Sequence, residues 1–196
     1  GKYGLKEKAV ALNAREKSCD VKIVLDEIAL KEKIPLSVFQ KVADEATFFD
    51  GAQQFFSQVK NSVKLVFISA TYQPIAERVV ARLGLAGALV KATRIRVERG
   101  GECSGFLGPL MEDAAKAEAL KQVSLELGVP LNNFVGVGDG ELDAKFIKAI
   151  VDAGGLGIAV SDNAVLIRDS LAQAVLPVPN YPKILELVKK FAGEKQ

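Results

Sequence analysis

Two carboxylates one helical turn apart, Asp139 and Asp143, follow a short apolar run in the stretch FVGVGDGELD, Phe134 to Asp143. Phe134 to Val137 reads as a buried strand running into Gly138-Asp139-Gly140. Glycines let the backbone turn sharply there, and a carboxylate at the C-terminal end of a parallel strand points into the crevice where open α/β sheets bind ligands. With a helix opening after Gly140, Asp139 and Asp143 face one pocket and suit a hard cation that takes one or two carboxylates and keeps several waters. The other reading open to the same residues is a surface turn, since Asp-Gly is a common turn pair. Two further groups stand at comparable places. Ser69 and Thr71 end the apolar run Val63 to Ile68 just ahead of a helix opened by Pro74, where backbone N–H groups favour an anion or where either hydroxyl caps the helix. Lys116 lies near the start of a helix predicted over Glu112 to Leu127, the end at which the dipole disfavours a cation, so it is either solvated or employed. A hydroxyl, an ammonium and a carboxylate pair with a metal are what a phosphoryl group needs around it, because its transfer is catalysed by positioning and by neutralising oxygens.

The elements that must hold these groups alternate. After a turn at Phe48-Phe49-Asp50-Gly51, the sequence predicts a helix over Ala52 to Lys60 and a covered strand over Val63 to Ile68. A helix striped by Ile75, Val79 and Leu83 follows and stops at Gly84. Residues 88 to 107 alternate in polarity around Gly100-Gly101 and read as a strand pair with one wet face. Then come the Glu112 to Leu127 helix, the Asp139 strand, a helix through Ile150 and Val151, a strand over Leu156 to Val160, a helix capped at Ser161-Asp162-Asn163, a short strand over Val175 to Val178 and a terminal helix over Pro182 to Phe191. The class is α/β, a Rossmann-like parallel sheet flanked by helices. Residues 1–47 read as helical and are expected to form a partial helical cap, with 48–196 as the core. Val21, Val24, Leu25 and Ile28 share one helical face, while a rival reading takes Val21 to Leu25 as a strand delivering Asp26.

Composition excludes several chemistries. The 196 residues suffice for one domain with a real core, and no histidine is present, which removes Ser-His-Asp triads, Cys-His dyads and imidazole metal sites. The 26 basic and 24 acidic side chains leave a net charge of +2. No strong field therefore points to nucleic acid or a membrane, and Arg94 and Arg96 read as a solvated strand face. Cys19 and Cys103 lack metal-ligand spacing, and no membrane-length apolar run or signal-peptide pattern appears, so reduced thiols and a cytoplasmic setting are expected. The apolar positions of the cap could pair with a second copy to make a homodimer.

VFISATY, the lysine ahead of the acidic strand end, VGVGDGELD and AGGLGIAV resemble in order and spacing the motifs of the haloacid dehalogenase (HAD) superfamily, nearest to the phosphoserine phosphatases. The resemblance covers residues 35 to 180 and implies a Mg2+-dependent phosphomonoester hydrolase acting on a small phosphorylated metabolite through an aspartyl-phosphate. It implies that Ser69 and Ala70 bind the phosphoryl group, that Lys116 neutralises it, and that Asp139 and Asp143 hold Mg2+. Ala70 and Thr71 stand where the family often has glycines, and Leu142 stands where it often has Asn; the second departure weakens the case for phosphoserine itself as substrate. The family's DxDGT-like nucleophile motif on the central strand is absent. Its nearest imitation is Asp26 in IVLDEIAL, with Ile28 at the position of the general acid and Leu30 at that of the Thr. The alternative expectation is that Val21 through Asp50-Gly51 is the end of a cap and that the nucleophile strand precedes Gly1. A non-catalytic protein of this fold, binding Mg2+ and phosphate or a partner, is the competing function.

Overall fold

The computed structural model describes residues 32–194; Asp26, Cys19 and the Val21–Leu25 run lie outside them. Helix α1 spans Leu36–Glu45, α2 Ala52–Val59, strand β1 Val66–Tyr72, α3 Gln73–Arg82 and β2 Leu89–Thr93. The hairpin β3 (Ile95–Val97) and β4 (Cys103–Phe106) leads to α4, Asp113–Leu127. Strand β5 (Val135–Gly138), a 3-10 turn at Glu141–Asp143, α5 (Ala144–Asp152), β6 (Leu156–Ala159), α6 (Ala164–Ser170), β7 (Ala174–Val175) and α7 (Tyr181–Glu194) complete the chain. Parallel strands flanked by helices make the expected α/β class. Among the described residues no helix is long and apolar enough to cross a membrane.

Among the described residues the parallel strands fall into two groups, β1-β2 and β5-β6-β7. Each of β1 and β5 has a strand partner on one side only among the described residues. Every residue of β1 is half-buried, and Val137 on β5 is 42% exposed. The apolar run at Val63 leads into β1, against which both α3 and α4 pack. Its first residues stay outside the strand, which instead runs on through Ser69, Ala70 and Thr71. The stretch 88 to 107 divides as well. Leu89–Thr93 is a core strand parallel to β1, with Val66 beside Leu89 and Ser69 beside Ala92, and only the residues after it form the antiparallel hairpin. On α3 the stripe is turned by one residue, since Ala76 and Val80 are the buried positions.

Two glutamines extend the parallel ladders. The Gln73 side chain accepts from the Ala92 N–H at 2.8 Å and donates to the Val90 carbonyl at 3.2 Å. Gln173 does the same for β6, accepting from Gly157 N–H at 2.6 Å and donating to the Gly155 carbonyl at 3.0 Å. Backbone groups that lack a neighbouring strand among the described residues are thereby satisfied.

The largest core cluster joins Leu120 of α4 and Phe146, Ile147 and Ile150 of α5 with Ala159 and Leu166, and Ile68 of β1 packs against it. Burying a side chain such as Ile147 contributes about 1.5–3 kcal/mol. The glycines of β5 and β6 are what let α5 lie so close: a Cβ at Gly136 would meet Ile150 at 2.7 Å, and one at Gly157 would meet Val151 at 2.6 Å. A second cluster packs Ile34 and Phe39 from the α1 region against Ile95 and Cys103 of the hairpin, with Tyr72 and Phe106 beside them. Helix α1 is also tied to α3, where Arg78 holds Asp44 through two hydrogen bonds of 2.6 and 2.9 Å. Arg82 donates to the carbonyls of Ala43 and Ala46, closing the C-terminal turn of α1.

Candidate functional site

The site is built around Asp143, which the 3-10 turn before α5 delivers into a buried position, 7% exposed. Its Oδ1 accepts from Lys116 Nζ at 2.6 Å. Its Oδ2 accepts from the backbone N–H groups of Asp139 and Gly140 at 3.0 and 3.2 Å. One carboxylate therefore fixes the turn after β5 and anchors the first turn of α4 at once. Gly138 is required for this. A Cβ there would lie 2.5 Å from the Cβ of Asp143 and 2.8 Å from its Cγ, so any side chain would displace the carboxylate.

Lys116 is equally buried, at 6% exposed, which settles the choice left open by its sequence position. It is not solvated. A lysine ammonium carries three donors, and Asp143 takes one of them. Asp113, at the start of α4, reinforces the junction by accepting from Lys145 N–H at 3.2 Å and pairing with Lys145 Nζ at 3.0 Å. Asp139, by contrast, is exposed at the end of β5, and its carboxylate has no hydrogen-bond or ion-pair partner among the described residues. Asp143 is thus committed to the protein, and Asp139 is left with its oxygens available. Hard oxygen donors at a strand end fit a hydrated divalent cation, although no group of three or more Asp, Glu, Cys or His gathers among the described residues.

Ser69 stands on β1, where the ladder slips. Ser69 pairs with Ala92 and Tyr72 with Thr93, so Ala70 and Thr71 form a bulge. The Ser69 Oγ accepts from Thr71 N–H at 3.2 Å. Neither hydroxyl caps α3: its N-cap is Tyr72, and no side-chain cap bond is made. The capping role open to Ser69 and Thr71 is therefore overturned. Asp139, Asp143 and Lys116 are linked directly, whereas Ser69 makes no hydrogen bond to any of them. Helix α4 packs against both β1 and the Glu141–Asp143 turn and so connects the two halves. Sequence reading missed Thr93, a fully buried threonine whose hydroxyl donates to the Ala70 carbonyl at 3.1 Å. Its only trace in the sequence is a hydroxyl closing the apolar run LVKAT.

With this geometry in view, comparisons with known proteins agree on one family. The haloacid dehalogenase-like hydrolase profile matches residues 7–148. The phosphoserine phosphatase of Archaeoglobus fulgidus is 23% identical over 142 residues, covering 72% of this chain and 40% of that protein. Phosphoserine phosphatase SerB2 of Mycobacterium tuberculosis is 26% identical over 168 residues, covering 85% of this chain and 39% of its own. The chain thus spans about two fifths of the length of these relatives. A substrate-bound phosphoserine phosphatase structure superimposes with a TM-score of 0.74 at 21% identity, covering 95% of this chain and 87% of the other, which establishes the shared fold. The chain belongs to the haloacid dehalogenase-like hydrolase family.

Proposed function

We propose that this chain carries the site of a Mg2+-dependent phosphomonoester hydrolase that works through an aspartyl-phosphate. The observation that carries the reading is the buried Lys116–Asp143 pair, which holds an ammonium at 6% exposure on the carboxylate that also accepts from the Asp139 backbone N–H. A buried ion pair is a poor investment for stability alone, since apolar replacement is often neutral or better. Its retention makes sense where a fixed cation must meet an anion. Lys116 directs its remaining N–H donors at phosphoryl oxygens, and Ser69 with the Ala70–Thr71 bulge supplies neutral donors from the other half. Asp139 and Asp143 would hold the metal, Asp139 through its available oxygens and Asp143 by fixing the Asp139–Gly140 backbone. When bound, Mg2+ neutralises phosphoryl oxygens. The attacking carboxylate is assigned either to Asp26 or to a strand N-terminal to this stretch, and the 1–47 segment is read as part of a cap over the 48–196 core.

The substrate class is a small phosphomonoester, and phosphoserine, named for the relatives, is the first compound to test. Phosphate release from p-nitrophenyl phosphate and from phosphoserine, with and without Mg2+, is measured for this chain and for the full-length protein. Mg2+-dependent release is expected. Release by this chain that Asp26→Asn abolishes assigns the nucleophile to Asp26, and release by the full-length form alone assigns it upstream. No phosphate release by either form refutes the hydrolase and leaves the binding protein.

A further inference from the structure

We infer that Thr93 is a positioning residue of the phosphoryl site, setting the direction in which the Ser69 hydroxyl donates; this rests on the phosphatase reading above. Thr93 is 1% exposed, and its Oγ1 stands between two backbone groups from different parts of the chain. It accepts from Met111 N–H at 3.0 Å and donates to the Ala70 carbonyl at 3.1 Å. Met111 lies on the segment that enters α4, the helix bearing Lys116, and Ala70 lies in the bulge of β1. One buried hydroxyl thus bonds backbone groups of β1 and of the segment entering α4.

The direction of the bonds gives the role. A hydroxyl has one hydrogen to donate, and Thr93 gives it to Ala70 because that carbonyl can only accept, while Met111 N–H occupies one of the hydroxyl's acceptor positions. The carbonyl of Ala70 and the N–H of Thr71 belong to one planar trans peptide and point opposite ways. Holding the carbonyl toward Thr93 therefore holds the N–H away from it, and that N–H donates to Ser69 Oγ at 3.2 Å. Each link donates forward, from Met111 to Thr93 to the 70–71 peptide to Ser69. The Ser69 hydrogen has no acceptor among the described residues and is left to the next group along, which suits an anion oxygen. Bonds chained in one direction polarise each other, so the terminal hydroxyl becomes a better donor.

The test uses the full-length protein with Mg2+, reading inorganic phosphate affinity by calorimetry, kcat and KM for p-nitrophenyl phosphate, and the melting midpoint. Thr93→Val keeps the shape and removes the hydroxyl; it is expected to weaken phosphate binding and lower kcat about tenfold, the factor for about 1.4 kcal/mol. Thr93→Ser keeps the hydroxyl and should stay within about twofold of wild type. In a Ser69→Ala background the Thr93→Val change should bring no further loss of phosphate affinity, an outcome that a purely structural role would not give. Should Thr93→Val fail to fold, Thr93→Cys, with a weaker donor of similar size, takes its place in the same cycle. Wild-type affinity and kcat in the substituted protein, or an equal loss in the Ser69→Ala background, would overturn the role of Thr93 while leaving the phosphatase reading intact. A wild-type protein that neither binds phosphate nor releases it would overturn both.

Discussion

On the β5 side of the site the groups are held by charge, and on the β1 side by neutral hydrogen bonds. Asp143 and Lys116 face each other at 2.6 Å with side chains only 9% and 7% exposed. Ser69 sits on a half-buried strand, and its bulge is fixed by backbone and hydroxyl bonds of 3.0 to 3.2 Å. The contrast separates what each half contributes. A buried pair is stiff, because removing one partner leaves an uncompensated charge. A chain of neutral donors adds little stability but carries direction. Damage on the β5 side should therefore appear first in folding, and damage on the β1 side first in ligand affinity.

The largest effect should come from breaking the pair. Asp143→Ala leaves Lys116 buried without its partner and two backbone N–H groups without an acceptor, so a loss of about 3–5 kcal/mol in urea unfolding is expected. The double variant Lys116→Met with Asp143→Leu should be less destabilised than either single change, although inactive. A double variant as unstable as the sum of the two single variants would show that the residues act independently and not as a coupled pair. Next comes Gly138→Ala, whose Cβ would stand 2.5 Å from Asp143; about 1–3 kcal/mol of overpacking is expected, together with weakened Mg2+ binding.

Asp139→Asn sharpens the contrast from the other direction. Its carboxylate has no protein partner among the described residues, so the melting midpoint should hold while Mg2+ affinity falls about tenfold or more, at least about 1.4 kcal/mol. Unchanged affinity by calorimetry would remove Asp139 from the metal site. The smallest effect belongs to an ion pair of the opposite kind, Arg78–Asp44 on the surface between α1 and α3. The Arg78 hydrogen bond lowers the pKa of Asp44 below 3.8. With the folded value depressed, the contribution is present above the unfolded value and is lost as pH falls through the folded one. Asp44→Asn should leave the neutral-pH melting midpoint almost unchanged and narrow its difference from wild type in acid.

How far the sequence reaches follows the same division. The strand before Asp139, the helix after Asp143 and the glycines between them are encoded locally, by a short apolar run, a turn and a helical stripe. The Leu36–Glu45 helix falls within the stretch read as helical, and its buried Phe39 and Ala43 recur at helical spacing. Contacts that depend on chain crossing were not legible. Asp143 meets Lys116 across 27 residues, and Thr93 meets Ala70 across 23. No periodicity reports such pairings, and a hydroxyl at a strand end looks alike whether it caps a helix, faces water or bridges two backbone segments. Strand β2 was hidden because Lys91 interrupts its apolar run, an interruption made harmless by the Lys91–Glu126 pair at 2.7 Å. Residues 88 to 93 therefore looked like part of the alternating hairpin that follows.

The claim that both halves serve one phosphoryl group is tested most directly by calorimetric titration of the full-length protein with inorganic phosphate, with and without Mg2+. Wild type, Ser69→Ala and Asp139→Asn are compared. The account predicts Mg2+-dependent binding that both substitutions weaken, although Ser69 lies on β1 and Asp139 follows β5, strands that do not pair with each other among the described residues. Phosphate binding that neither substitution alters, or no binding by the wild type, would contradict it.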